Sequence, residues 1–330
     1  MKKNVLNSVL LILLMCVCLE IFLQISKPTV YEFSKKLGWE TKKNYIRKFK
    51  FKDFYNNKYD GIYETDKFGS RKIGDLNARK KILVVGDSFT MDPHTGNQET
   101  WFSVLRDGLE SIYDETFTVS AIGGGGYGTN QQYLISKEFL EKSNYEPDLV
   151  ILQFCVNDFM NNSFNWETNT ENYSQFLRRP FYVNNNHFIY KENILGKFMR
   201  TELASKLKLP NYFFLIYAIF ERKYFESIIS KHTLQESTEI TLKLLIKFKN
   251  LFKTEVYAFN CKDSDFFPEN QWGKVLKNAG FKVLLTPSLK MKKISNNQEI
   301  FFKDGGHYNK LGNKLLGQFV LNELIEQNLF

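Results

Sequence analysis

The strongest constraint on this chain is a set of short aliphatic runs, each closed by a turn rich in glycine or asparagine. Residues 82–85, 117–121 and 149–154 are almost free of charge and rich in β-branched and aliphatic side chains. Runs of that kind suit strands buried on both faces. Between them lie segments with helical spacing. Thr100 is placed to cap a helix bearing Trp101, Val104, Leu105 and Leu109, and Thr129 to cap one bearing Tyr133, Leu134, Phe139 and Leu140. A helix around 240–252, strands at 256–259 and 282–285, and a helix after Asn309 with Leu311, Leu315, Leu316, Phe319 and Val320 on its apolar side extend the pattern. Strand–helix alternation predicts an α/β fold with helices on both faces of a parallel sheet. The 330-residue length fits one large domain with additions, or two small ones. From Asn161 to Ser237 the alternation breaks, and residues 179–190 read as a hairpin with Asn184, Asn185 and Asn186 at its turn. That stretch is expected to be an insertion beside the sheet.

The amino terminus follows a different logic. Lys2 and Lys3 lead into apolar residues from 5 to 25. At about 1.5 Å per residue such a helix spans roughly 30 Å, one hydrocarbon core. Glu20 lies toward one end, where a charge costs less than at the bilayer centre. Large residues at Phe22, Leu23 and Gln24 do not suit a signal-peptidase site, so an uncleaved signal anchor is expected. The basic lead favours a cytoplasmic start and an extracytoplasmic main domain, although Lys27, Lys35 and Lys36 weaken the bias. The organisation expected is a signal anchor over 1–25, a basic juxtamembrane linker and lead over 26–78, and the main domain over 79–330 with the insertion at about 161–237.

The formal net charge is +9, but the lysines are scattered and no nucleic-acid-binding signature accompanies them, so no nucleic acid partner is expected. Of four cysteines, Cys16 and Cys18 lie in the apolar run. Cys155 sits inside a strongly apolar strand and reads as a buried free thiol, leaving its redox state and that of Cys261 open.

Four motifs carry chemistry. Gly86-Asp87-Ser88-Phe89-Thr90 follows the first buried strand, where a tight turn can expose the Ser88 hydroxyl and backbone N–H. The tripeptide alone is also an everyday turn. Gly123-Gly124-Gly125-Gly126-Tyr127-Gly128-Thr129-Asn130-Gln131 follows the second, and lets backbone N–H groups approach a ligand. Asn157 ends the third strand, placed to aim its amide at a developing oxyanion or merely to cap a turn. Asp304-Gly305-Gly306-His307 precedes the last helix, and a carboxylate three residues before a histidine can receive its Nδ1–H, leaving Nε2 as a base. His94, His187 and His232 lack such an arrangement.

In this order the four motifs resemble the SGNH (GDSL) hydrolase superfamily, and in particular its membrane-anchored bacterial members. The likeness runs from about Arg79 to the carboxyl terminus, loosely through the insertion, and Asp66-Lys67-Phe68-Gly69-Ser70-Arg71 resembles a Gly-x-Arg lead that often precedes this domain. The resemblance implies a flavodoxin-like three-layer sandwich with a parallel sheet of about five strands. It implies Ser88 as nucleophile, His307 as general base and Asp304 as the group orienting it. The Ser88 and Gly126 N–H groups and the Asn157 side chain would form the oxyanion hole. Ala121 stands where the family often has Asn, and Gly124-Gly125 where Val-Pro is usual. No cofactor or metal is expected.

The expected activity is that of a serine esterase at the cell envelope, forming an acyl-enzyme and removing a small acyl group, foremost acetyl, from a carbohydrate or glycolipid. An O-acyltransferase on envelope polysaccharide, a lysophospholipase-type lipid esterase and a non-catalytic binding protein are the rival readings. Phe164, Trp166, Tyr173, Phe181, Tyr182, Phe188 and Tyr190 of the insertion could stack on sugar rings, but packing the insertion against the sheet is the simpler role.

Overall fold

The computed structural model describes residues 2–26, 29–52, 58–75, 77–167, 178–183, 187–192, 194–210, 231–262, 269–284, 291, 299–302 and 306–327. The chain opens with helix α1 (Lys2–Ser26) and strands β1 (Tyr31–Ser34), β2 (Gly38–Thr41), β3 (Ile46–Lys52), β4 (Lys58–Glu64) and β5 (Arg71–Ile73). The main domain then runs β6 (Lys80–Gly86), α2 (Trp101–Tyr113), β7 (Phe117–Gly123), α3 (Thr129–Ser143), β8 (Leu149–Phe154), α4 (Asn157–Asn162) and α5 (Phe164–Glu167). After β9 (Phe181–Val183), β10 (His187–Ile189), α6 (Ile194–Met199) and α7 (Glu202–Lys206) come α8 (Lys231–Lys249), β11 (Val256–Asn260), α9 (Glu269–Asn278), β12 (Lys282–Val283) and α10 (Lys310–Glu326).

The main sheet has the order β12-β11-β8-β6-β7-β5. Its first five strands are parallel, the flavodoxin-like order, and β5 adds an antiparallel edge that the sequence pattern did not announce. The unbroken apolar runs follow from this layering. Ile82, Val84, Leu149 and Ile151 face one core with α2 and α10, whereas Leu83, Val85, Val150 and Leu152 face the other with α3, α8 and α9. Successive strand residues point to opposite faces, so a strand covered on both sides must be apolar at every position. Thr100 caps α2 by accepting from Ser103 N–H, and Asn309 caps α10 by accepting from Gly312 N–H at 2.9 Å. Thr129 departs from expectation. Gly128 occupies the cap of α3, and the Thr129 hydroxyl donates to buried Asp158 at 3.1 Å.

Part of the segment between α1 and β6 packs into the domain. The β1–β2 hairpin pairs Tyr31 with Thr41 and Phe33 with Trp39, and Val30, Leu37 and Trp39 are buried. In the insertion, β9 and β10 form the expected antiparallel pair, with their turn at 184–186 outside the described residues. Trp166, Phe181 and Tyr182 are buried, and Phe164 meets Phe181 edge-on, so these aromatics pack the insertion onto the domain. Tyr173 lies outside the described residues. A fully buried ion pair, Arg179 Nε to Glu167 at 2.7 Å, fastens the same region, and Arg179 also donates to Gln131 of α3.

The free-thiol reading of Cys155 is corrected: Cys155 and Cys261 form a disulfide, with a Cα–Cα distance of 5.1 Å. The two residues directly follow β8 and β11, which are parallel neighbours pairing Phe154 with Asn260. Cys261 N–H continues that ladder by donating to Phe154 O at 2.7 Å. One step further, the two cysteines lie side by side, within disulfide reach. A separation of 106 residues hides this pairing from any local reading of the sequence.

Val5–Ser26 of α1 is long and apolar enough to cross a membrane, with a mean hydropathy of 2.6, and almost none of it is buried in the protein. Glu20 is not stranded within it. Its carboxylate accepts from the backbone N–H groups of Lys208 at 2.9 Å and Leu209 at 2.8 Å, and from Gln24.

Candidate active site

Three adjacent strands deliver the candidate residues to one edge of the sheet. Gly86 pairs in register with Gly123 on β7 and with Gln153 on β8. Ser88, Gly126 and Asn157 follow these positions at the strands' carboxyl ends, where open α/β sheets bind ligands. Gly86 has no room for a side chain, because a Cβ there would lie 2.2 Å from the Thr90 hydroxyl and 3.2 Å from Gln153 O. The tight turn is closed by Thr90 N–H and Met91 N–H, which both donate to Asp87 O, at 3.2 and 3.0 Å. In a planar trans peptide the carbonyl and the next N–H point oppositely. Holding Asp87 O inside the turn therefore aims the Ser88 N–H outward, beside its half-buried side chain.

The glycine-rich loop is oriented by the same logic. Gly126 adopts a left-handed φ of 72°, which its lack of a side chain permits. Trp39 Nε1 donates to Gly125 O at 3.0 Å, fixing the opposite direction of Gly126 N–H, while Tyr31 Oη accepts from Gly125 N–H at 2.7 Å. Asn161 Nδ2 donates to Gly126 O at 3.3 Å. Asn157 Nδ2 donates to Asp87 at 3.4 Å, which leaves its second amide hydrogen for another acceptor. The three N–H groups named from sequence thus lie on neighbouring strand ends, each with a protein contact that sets its direction.

His307 reaches this edge from the far end of the chain. Its ring lies 5.1 Å, centroid to centroid, from that of Phe89, the residue after Ser88, and Phe89 also packs edge-on against Tyr308. Tyr308 Oη donates to Cys261 O at 2.8 Å, so the disulfide between Cys155 and Cys261 ties the histidine loop to the strand end that precedes Asn157. His307 Nδ1 is buried and has no hydrogen-bond partner among the described residues. Asp304, read from sequence as the group orienting His307, lies outside them.

A family model for the GDSL-like lipase/acylhydrolases matches residues 82–320. The chain belongs to this family. It is a hydrolase of ester bonds, in keeping with the serine at the strand end. No curated protein sequence matches it closely enough to count as a relative. Among solved structures it is similar to the psychrotrophic esterase EstA from Pseudoalteromonas sp., at 11% identity and a TM-score of 0.44, covering 76% of this chain and 98% of that one. A lipase/acylhydrolase from Enterococcus faecalis gives 13% identity and a TM-score of 0.42, over 75% of this chain and 96% of that one. A variant of the acetyl-xylooligosaccharide esterase Axe2 from Geobacillus gives 14% and 0.41, over 76% and 95%.

Within this GDSL-type site two residues stand out that sequence reasoning had not given roles. Arg71 is fully buried and donates to the carbonyls of Asp92 at 3.2 Å and Thr95 at 2.6 Å, and to Asn97 Oδ1 at 3.0 Å. It holds the loop that leaves the Ser88 turn, which gives the Gly-x-Arg lead a physical purpose. Asp87 is also buried, and its carboxylate accepts from Phe89 N–H at 2.9 Å as well as from Asn157. Desolvation pushes its pKa up to about 6, despite the lowering effects of Phe89 N–H and of nearby His307. An unfolded Asp titrates near ~3.9. A raised folded value means the native state binds the proton more tightly, so the stabilising effect is complete below about pH 4 and lost as pH rises through about 6. This group therefore costs on the order of 3 kcal/mol above pH 6. Urea unfolding between pH 4 and 8 should show a shallower fall of stability with pH in Asp87→Asn than in the parent. Asp158 and Glu167, both raised by burial, retain their share of the slope. An identical pH slope in the two proteins would remove Asp87 from this account.

Proposed function

We propose that the protein is an envelope serine esterase that removes a small acyl group from a carbohydrate or glycolipid. Ser88 Oγ attacks the ester carbonyl while His307 Nε2 takes its proton, and the same proton is delivered to the departing alcohol. Water then adds to the acyl-enzyme with His307 again as base, releasing the acid and restoring Ser88. The Ser88 and Gly126 N–H groups and Asn157 Nδ2 receive the negative charge that develops on the carbonyl oxygen. Asp304 accepts the Nδ1–H of His307. The observation that carries this reading is the convergence on one sheet edge of Ser88, Asn157 and a histidine whose buried Nδ1 lacks a partner among the described residues.

The extracytoplasmic placement is supported by two features. Lys2 and Lys3 precede the apolar helix, and a disulfide joins Cys155 to Cys261, a bond that persists in oxidising compartments. In cells lysed under a thiol-blocking reagent, both cysteines should be unmodified until a reductant is added. Immediate alkylation of both would place the domain in a reducing compartment.

An anchored domain, residues 79–330 on a single helix, reaches material only close to the bilayer, which favours envelope glycans and glycolipids over freely diffusing metabolites. With p-nitrophenyl esters, kcat/KM should be highest for acetyl and fall with chain length. A steady rise from acetyl to palmitoyl would favour a lipid substrate and defeat the small-acyl reading.

A further inference from the structure

A cavity of about 740 Å³ lies behind the glycine-rich loop, between the end of α1, the β1–β2 hairpin and α7. Its position relative to the bilayer follows from how α1 ends. Gln24 Nε2 donates to Lys206 O at 2.6 Å, and Lys208 Nζ donates to Leu23 O at 3.1 Å. Together with the Glu20 contacts, these bonds dock the last turns of the apolar helix against the segment after α7. Gln24, in the closing turn of the apolar span, is itself part of the cavity wall. A cavity at that level sits where lipid headgroups lie.

The chemistry of the wall is cationic. Lys42, Arg178, Lys206 and Lys208 line it, against Glu32 and Glu202. Glu202 is already engaged by Lys206 at 2.6 Å. Arg178 is the decisive group. Most of its side chain is buried, and among the described residues Nη2 has one long bond, to Ala204 O at 3.3 Å, and Nε has no partner. No carboxylate among the described residues lies within ion-pair distance of it, and burial alone brings its pKa down to about 10. A guanidinium that remains charged and buried without a counter-ion is costly, and an incoming anion relieves that cost. A phosphate matches the planar fork of Arg in geometry as well as charge. Trp39 and Tyr31 supply the aromatic wall, a composition suited to the membrane interface.

We propose that this cavity binds the phosphate of an anionic lipid headgroup, with Arg178 as its central ligand and Lys42, Lys206 and Lys208 around it. The site rests on α1 spanning the membrane and is independent of the ester chemistry. The test uses the full-length chain in detergent micelles, titrated with phosphatidylglycerol, phosphatidylcholine or glycerol 1-phosphate and read by native mass spectrometry. Phosphatidylglycerol should be retained as a one-to-one adduct at concentrations at least tenfold below those needed for phosphatidylcholine, with glycerol 1-phosphate not retained. Arg178→Gln should weaken phosphatidylglycerol retention by tenfold or more, and Arg178→Lys by less. A urea-unfolding midpoint equal to the parent's serves as the check that each variant is folded. If Arg178→Gln fails that check, Lys42→Gln carries the same comparison. Equal retention of the two lipids, or unchanged retention in the folded variant, would overturn the proposal. Equal retention of glycerol 1-phosphate would make this a soluble-phosphate site and overturn the lipid assignment. Carbonate extraction of membranes separates the two layers of inference. Release of the chain would overturn the anchor and this site together, whereas a retained chain with no lipid preference would overturn the site alone.

Discussion

Replacing Ser88 by Ala is expected to lower kcat/KM for a soluble acetyl ester by roughly 10³ to 10⁶-fold. The Ser88 hydroxyl is the group that forms the acyl-enzyme bond in the proposed chemistry, whereas the Thr90 hydroxyl of the same turn is buried and donates to Gln153 Oε1 at 2.7 Å. Folding should be almost untouched. Ser88 is half-buried, and the turn is held by Asp87 O, the Thr90 hydroxyl and Gln153 rather than by the serine side chain. A surface-type change of this kind costs within about 0.5 kcal/mol. Urea midpoints equal to those of the parent, alongside lost turnover, would assign the effect to chemistry. Undiminished turnover in a folded variant would remove Ser88 as the nucleophile.

The second large effect concerns His307. His307→Ala should cost about as much as Ser88→Ala, and the double variant little more than either one, because attack and proton removal belong to the same step. Asp304→Asn should be milder than His307→Ala, since the imidazole stays in place and loses only its orienting charge. The Phe89 ring, packed on both His307 and Tyr308, is expected to keep the loop in position in these variants. Steady-state kinetics of the four proteins measure the coupling. Losses that multiply in the double variant would contradict a shared step.

The doubly wound core was legible because its central strands β6 and β8 are covered on both faces and so carry apolar runs. Ile82 to Val85 is the clearest instance, dividing its residues between the two cores. The motif residues were legible for a related reason. Ser88, Gly126 and Asn157 follow strand ends, so locating the strands located them. What stayed hidden depended on contacts between distant segments. The β1–β2 hairpin is short and mixed in polarity, and nothing along residues 31–41 signals that Trp39 would grip the Gly125 carbonyl. The Gly-x-Arg lead marked Arg71, but its role stayed hidden until its three-dimensional partners, the loop carbonyls of Asp92 and Thr95, were known. The disulfide was missed because Cys155 and Cys261 meet only through the pairing of β8 with β11. The Thr129 cap was missed because the hydroxyl found a buried carboxylate, Asp158, in place of a helix N–H.

The most direct measurement is covalent labelling of the intact chain with a fluorophosphonate, followed by peptide mass spectrometry. Phosphonylation requires a nucleophilic serine, a base to take its proton and N–H groups to receive the charge on the phosphoryl oxygen, so it reports on the whole site in one event. The expected result is a single adduct on Ser88, absent in Ser88→Ala and slowed by orders of magnitude in His307→Ala. No adduct on the folded chain, or an adduct on another residue that persists in Ser88→Ala, would contradict a serine esterase built on the β6 turn.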